Sequence, residues 1–313
     1  MDDQTISAAI LPPLMRPGGQ LSPDAVAELC AHPNFARAMR AVLADNVRLY
    51  RGNRILNYVG YDRGRLVVAM LALYLHVSRR PGDPTSGLTA QSLKSLCVEQ
   101  DVCSPGRARA MLSLMRLFGY VAAAAEGDRR YKLLVPTDLL MDSVRQRWSA
   151  MFAAVALVLP DGAAAVDALA RDDFVGAVVR RGMDHYRTGV RLLRFAPELR
   201  VFAERNAGLM ILFSLVIAAD PDDTTPPTRP VRVSISELAR RFSVSRVHVG
   251  RLLRDAEAEG LIERAGNTQD AITLLPPLTR ALRQSTALVF LFFAQCARAA
   301  LMDIGEKNEG AYA

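Results

Sequence analysis

The chain is poor in the residues that carry most metal, redox and cofactor chemistry. It has 4 cysteines, 4 histidines and 1 tryptophan in 313 residues, and aromatic residues make up 6%. Four thiols are too few to build a disulfide framework in a chain of this length, and Cys97 and Cys103 lack the spacing of a zinc knuckle. His32, His76, His185 and His248 show no metal-ligand spacing, and the acidic residues are scattered over polar faces. There is no phosphate-cradling glycine loop and no Gly-x-Ser-x-Gly elbow, so neither an enzyme nor a cofactor is expected. Long apolar runs are scarce too. The two longest, near Gly208–Ala219 and Ala287–Ala297, contain about a dozen residues each, short of the roughly 18–20 that cross a bilayer. They read as buried helices. The opening Met1-Asp2-Asp3 is acidic and no apolar run follows it, unlike a secretory signal, so a cytoplasmic protein without a membrane partner is expected.

Half of the residues are apolar, and 313 residues can bury one large core or two ordinary ones. Lys plus Arg number 39 against 32 Asp plus Glu, and the resulting net charge of +7 and pI near 9.5 suit a polyanionic partner.

Breakers divide the chain. Pro12, Pro13, Pro17, Gly18 and Gly19 predict an extended arm over residues 1–22. Ser22-Pro23-Asp24 then signals a helix start, with serine as the cap and proline at the first helical position. Phe35, Met39, Val42 and Leu43, and later Leu66, Met70, Leu73, Tyr74 and Val77, recur at helical spacing up to a loop at Pro81–Gly87. A second loop, Asp220–Pro230, also follows an apolar helix and also precedes an amphipathic segment.

Sliding the chain along itself extends that coincidence. Gly119 falls on Gly260 (260 − 119 = 141), and the same offset aligns Ser104 with Ser245, Leu112 with Leu253 and Pro136 with Pro277. Leu93 aligns with Leu238 at 145, and Phe35 with Phe174 at 139. An internal duplication is therefore expected, with halves 23–160 and 161–313, each ending in a long helix (Thr137–Leu159 and Leu278–Ile304).

One stretch, VSISELARRFSVSRVHVGRLLRDAEAEGLIER (233–264), reads as two helices joined by a turn. Ser234 or Ser236 caps the first, Phe242-Ser-Val-Ser245 makes the turn, and Ser245 starts the second. Val249, Leu252 and Leu253 face a core, leaving Arg246, Val247, His248, Gly250 and Arg251 outward, where such a helix meets base edges in the major groove. This pattern resembles the winged helix-turn-helix of bacterial transcription regulators over about 45 residues, 232–276. A related pattern covers 88–136: a helix at Leu88–Leu96, a turn holding Cys97 to Cys103, and a second helix capped by Ser104, with Arg107 and Arg109 outward. The run Glu126-Gly-Asp-Arg-Arg-Tyr-Lys is similar to the wing of the MarR family. The resemblance implies that Arg129 and Arg130 enter the minor groove, with Asp128 orienting one of them. Gln269-Asp270 depart from that pattern in the other hairpin, so unequal heads are expected.

The resemblance implies a mainly α fold in which two winged helix-turn-helix units share a helical core with pseudo-two-fold symmetry, a MarR-like dimer fused into one chain. Such a chain would act as a monomeric pseudo-dimer or a higher homo-oligomer on double-stranded DNA, reading a non-palindromic site as a transcription regulator. DNA contacts fall to Ser104, Arg107, Arg109, Arg129, Arg130, Ser245, Arg246, His248 and Arg251. A small-molecule effector between core and heads, lined by Tyr58, Tyr61, Tyr74, His76, His185 and Tyr186, is a further implied partner. Cys97 and Cys103 form either an idle pair or a thiol switch. A plasmid replication initiator with two winged helices and an interaction scaffold with degenerate ones are the competing readings.

Overall fold

The computed structural model describes residues 19–50, 63–80, 82–83, 85–125, 132–220, 222–265 and 271–310, without the side chains of 63–65 and 306–310. Among these residues the protein is mainly helical, with thirteen α-helices and five short strands.

α1 (Pro23–Ala31) begins as its sequence dictates, with the Ser22 hydroxyl accepting from the Ala25 amide. After α2 (Phe35–Tyr50) and α3 (Arg63–Val77) comes a compact segment: α4 (Ala90–Glu99), α5 (Pro105–Leu117) and an antiparallel pair, β1 (Val121–Ala123) with β2 (Leu134–Pro136). α6 (Asp138–Val155) then turns sharply into α7 (Asp161–Ala168). Gly162 permits that turn, because a Cβ there would collide with the backbone of Val155 and Ala156. α8 (Asp172–Arg187), two 3-10 turns, α9 (Arg200–Ala203) and α10 (Gly208–Ile217) lead to a second compact segment. It holds β3 (Val231–Arg232), α11 (Ile235–Arg241), α12 (Arg246–Ala258), β4 (Ile262–Ala265) and β5 (Ala271–Leu274), with sheet order β3-β5-β4. α13 (Pro276–Gly310) closes the chain.

The two large hydrophobic clusters do not follow the two halves of the sequence. One joins α1 and α2 to α10, the second compact segment and the first part of α13. The other joins α3, the first compact segment and α6 to α7, α8 and the last part of α13. The crossings repeat in kind. Phe35 on α2 meets Phe290 on α13 edge-on at 6.2 Å, and Phe174 on α8 meets Phe152 on α6 at 6.3 Å; all four rings are wholly buried. Arg40 on α2 donates to the Ile217 carbonyl at the end of α10, and Arg180 on α8 donates to the Val77 carbonyl at the end of α3, both at 3.2 Å. Each guanidinium thus satisfies an orphan carbonyl at a helix C-terminus, where positive charge is favoured.

Two expectations shift in detail. α4 runs through Cys97 to Glu99, so the turn is the shorter Gln100–Ser104: Asp101, at φ +51°, ends the helix and lets the Val102 amide reach the Cys97 carbonyl. α13 exceeds its longest apolar run and holds an 18-residue window of mean hydropathy 1.7, long and apolar enough by length and composition alone to cross a membrane. Two of its arginines are engaged within the protein. Arg283 donates to the Cys30 carbonyl at 2.6 Å, and Arg298 makes a two-pronged pair with Asp161 at 2.8 and 2.7 Å.

Candidate nucleic-acid interface

The two compact segments are wired alike. Thr89 Oγ1 accepts from the Ser92 amide at the start of α4, and Ser234 Oγ accepts from the Glu237 amide at the start of α11, which selects Ser234 over Ser236 as the cap. Left-handed residues close the two first helices, Asp101 at φ +51° and Ser243 at +53°. Ser104 caps α5 by accepting from the Arg107 amide at 3.4 Å, and Ser245 caps α12 by accepting from the His248 amide at 3.0 Å. Gly119 and Gly260, at φ +75° and +68°, end these helices with the same pair of bonds: the Tyr120 amide donates to the Met115 carbonyl and Leu261 to Ala256, each beside a bond from the glycine amide, Gly119 to Arg116 and Gly260 to Glu257. Among the described residues the first segment has no counterpart of β3 but keeps one bond of that kind, from the Leu134 amide to the Leu88 carbonyl.

The outer faces of α5 and α12 carry the expected cations. Arg107 and Arg109 are exposed on α5, and that helix bears no acid along its length. On α12, Arg246 and Arg251 are exposed, joined by Arg254, and none of these three side chains has a hydrogen-bond or ion-pair partner among the described residues. The acids of α12 are already engaged: Asp255 pairs with Arg205 at 2.5 Å, and Glu257 pairs with Arg264 at 2.6 Å. Val247 leaves 68% of its surface exposed on the same N-terminal face, an apolar side chain of the kind that meets a thymine methyl. Sequence reasoning placed Val247 outward without counting it as a contact. Arg254 was missed, although its position one turn beyond Arg251 marks it.

The nine expected contact residues do not all stand free for a partner. The Ser104 and Ser245 hydroxyls are used as helix caps. The His248 ring is half-buried, with Nε2 2.9 Å from the Asn206 carbonyl, which ties α12 to the core. Arg129, Arg130 and Asp128 lie outside the described residues, as do Gln269 and Asp270.

Asn206 and Arg205 fasten the second segment from a strained corner: Ala207 adopts φ +56°, and at Gly208 a Cβ would run into the Phe202 carbonyl. The first segment is fastened differently. Arg187 approaches Glu99 at 3.8 Å and donates to the Tyr74 hydroxyl at 2.6 Å, while Tyr74 donates to Asp184 at 2.9 Å. Burial foremost, and the bond to Asp184 next, raise the Tyr74 pKa. Arg191 reaches Gln100 Oε1 at 3.4 Å.

Cys97 is fully buried, and burial, followed by the nearby Cys103 thiol to which it is hydrogen-bonded, pushes its pKa up to about 12. A thiol so disfavoured as a thiolate is a poor nucleophile. No group of three or more His, Cys, Asp or Glu is arranged to hold a metal among the described residues.

Of the residues expected around an effector, Tyr186 alone among the described ones lines a cavity of about 510 Å³ between the two hydrophobic clusters. Tyr74 belongs to the polar strut above, and His185 accepts from the Gln295 amide at 3.2 Å behind the cavity wall. Tyr58 and Tyr61 lie outside the described residues. Comparison with known protein families, curated proteins and solved structures finds no match to this chain.

Proposed function

We propose that the two compact segments are winged helix-turn-helix heads of a duplicated, MarR-like chain, and that the protein is a cytoplasmic, non-enzymatic transcription regulator binding double-stranded DNA as a single-chain pseudo-dimer. The observation that carries the reading is the outer face of α12: Arg246, Arg251 and Arg254 are exposed and without partners among the described residues, whereas the acids of that helix are held by arginines elsewhere. A helix face of unneutralised guanidinium groups around an exposed valine suits the phosphates and base edges of a major groove. Duplication is supported by the matching caps, left-handed turns and glycine stops of the two segments, and by the paired crossings of Phe35 with Phe290 and Phe174 with Phe152. Because the faces differ, the preferred site is a pair of unlike half-sites.

Binding of the purified chain to fragments of its own genome, followed by anisotropy over a salt series, tests this. A handful of phosphate contacts predicts a steep fall of log affinity with log salt, close to −0.9 per phosphate neutralised. A flat dependence, or no fragment bound above background, removes the regulator reading.

A further inference from the structure

The cavity between the two clusters is lined by α2, α3, α6, α8, α10 and α13, so both sequence halves contribute. Its volume of about 510 Å³ is that of a small-molecule site, typically roughly 300–1,000 Å³. Protein interiors pack at nearly crystalline density, so the apolar side chains lining a recess of this size forgo dispersion contacts that an apolar ligand would supply. The wall is overwhelmingly aliphatic and aromatic, with Trp148, Phe213, Phe290 and Phe292 among its members. Two charged side chains reach it among the described residues, Arg147 and Arg191, both of which also have partners within the protein, and no carboxylate of the described residues lines it.

We infer that this cavity binds an amphipathic carboxylate, an organic acid with an apolar tail and one anionic head. The tail is held by the aromatic and aliphatic wall, and the head by a guanidinium, whose planar fork matches a carboxylate. A neutral tail of equal length gains the apolar burial but not the charge-assisted bonds, and a cationic one is repelled.

Arg191 gives the site a route to one compact segment. Its guanidinium lies 3.4 Å above the Tyr186 ring, donates to the Tyr186 carbonyl, and also donates to Gln100 Oε1 at 3.4 Å. Gln100 is the C-cap of α4, one residue before the left-handed Asp101 and four before Ser104, which starts α5. A carboxylate on Arg191 competes with Gln100 for the same donors, so occupancy loosens the turn of the first segment. The polar fastenings of the second segment, Arg205 and Asn206, do not line the cavity. The site therefore acts on one segment of the two, and neither its binding nor its local effect depends on whether the segments read DNA.

Trp148 is the single tryptophan of the chain and lines the cavity, so its emission reports occupancy directly. Titration with dodecanoate below its micelle concentration is expected to give a saturable change, with dodecanol at least ten-fold weaker and dodecyltrimethylammonium weaker still. Arg191→Gln lowers dodecanoate affinity about ten-fold and leaves dodecanol unchanged. Ser285→Phe, which fills the cavity from α13, abolishes the response while circular dichroism shows a normal helical melt. Hydrogen exchange rises in α4 and its turn on adding dodecanoate, and stays constant in α11 and α12. The absence of a saturable response, equal affinity for the acid and the alcohol, or full binding by a folded Ser285→Phe overturns the site. Equal exchange changes in both segments overturn the one-sided transmission.

Discussion

The two compact segments are built on one plan and attached on two. Caps, left-handed turn residues and glycine stops correspond in kind between α4–α5 and α11–α12, down to Asp101 and Ser243 at φ +51° and +53°. Their moorings share only an arginine–carboxylate pair and otherwise differ. The first is held by long side chains, Arg187 on Glu99 and Arg191 on Gln100, at 3.8 and 3.4 Å. The second is held by a rigid corner, with His248 on the Asn206 carbonyl at 2.9 Å and Asp255 on Arg205 at 2.5 Å. Backbone punctuation specifies how a segment folds. Side chains outside it specify how firmly it is carried and what can move it.

The largest test of this comparison concerns the crossed cores. Phe35→Ala and Phe174→Ala each remove a fully buried ring, at a cost of about 3–5 kcal/mol. Phe35 comes early in the chain but packs under the second segment, and Phe174 comes later but packs under the first. Hydrogen exchange after Phe35→Ala should accelerate in α11–α12 before α4–α5, and after Phe174→Ala in the reverse order. Acceleration in the sequence-adjacent segment instead would show that the cores are not exchanged.

Next in size are the outer faces. On the proposed DNA-binding reading, Arg246→Ala and Arg251→Ala should each weaken DNA binding by about 1–3 kcal/mol, and Arg107→Ala and Arg109→Ala by similar amounts at the other half-site. Footprints of the four variants on one fragment sharpen the comparison, because each pair should lose protection on one side only. Replacing Arg129 and Arg130 by Ala should weaken binding more than replacing Gln269; equal losses would dissolve the asymmetry of the two hairpins.

Helix caps come third. Ser245→Ala and Ser104→Ala should each cost about 1 kcal/mol by urea denaturation, with the greater loss at Ser245, whose bond is 3.0 Å against 3.4 Å. The smallest effect is that of acid. Burial lowers the pKa of both His76 and His185 from the ordinary 6.5, with Arg79 adding to the effect at His76, while Asp184 opposes and Arg181 assists at His185. Depressed folded values mean that the folded state binds fewer protons. Their contribution to stability is therefore full above pH 6.5 and is lost as pH falls through the folded values. Both histidines pack beside the cluster under the first segment, so mild acid should raise hydrogen exchange in α3 and α8 ahead of α2 and α10. A uniform rise would leave the histidines without that role.

Much of the chain was legible because its signals are short-range. Ser22-Pro23, Ser104-Pro105, Ser245, Gly119 and Gly260 act within a turn of themselves, and each begins or ends a helix at the expected place. The outward arginines follow from helical periodicity alone, as Leu252 and Leu253 bury one face and leave Arg251 and Arg254 on the other. His248 misleads for the opposite reason. Its spacing puts it outward, but its ring is drawn to a carbonyl 42 positions earlier that no local pattern announces.

The sequence by itself determined a helical protein with two like-built segments, since caps, breakers and apolar spacing are encoded within a few residues of where they act. Tertiary structure alone decided which helices share a core. Any apolar helical face can bury itself against another, and only the fit of Phe35 to Phe290 and of Phe174 to Phe152, with Arg40 and Arg180 closing the opposite helix ends, selects the crossed arrangement and the cavity left between its two cores.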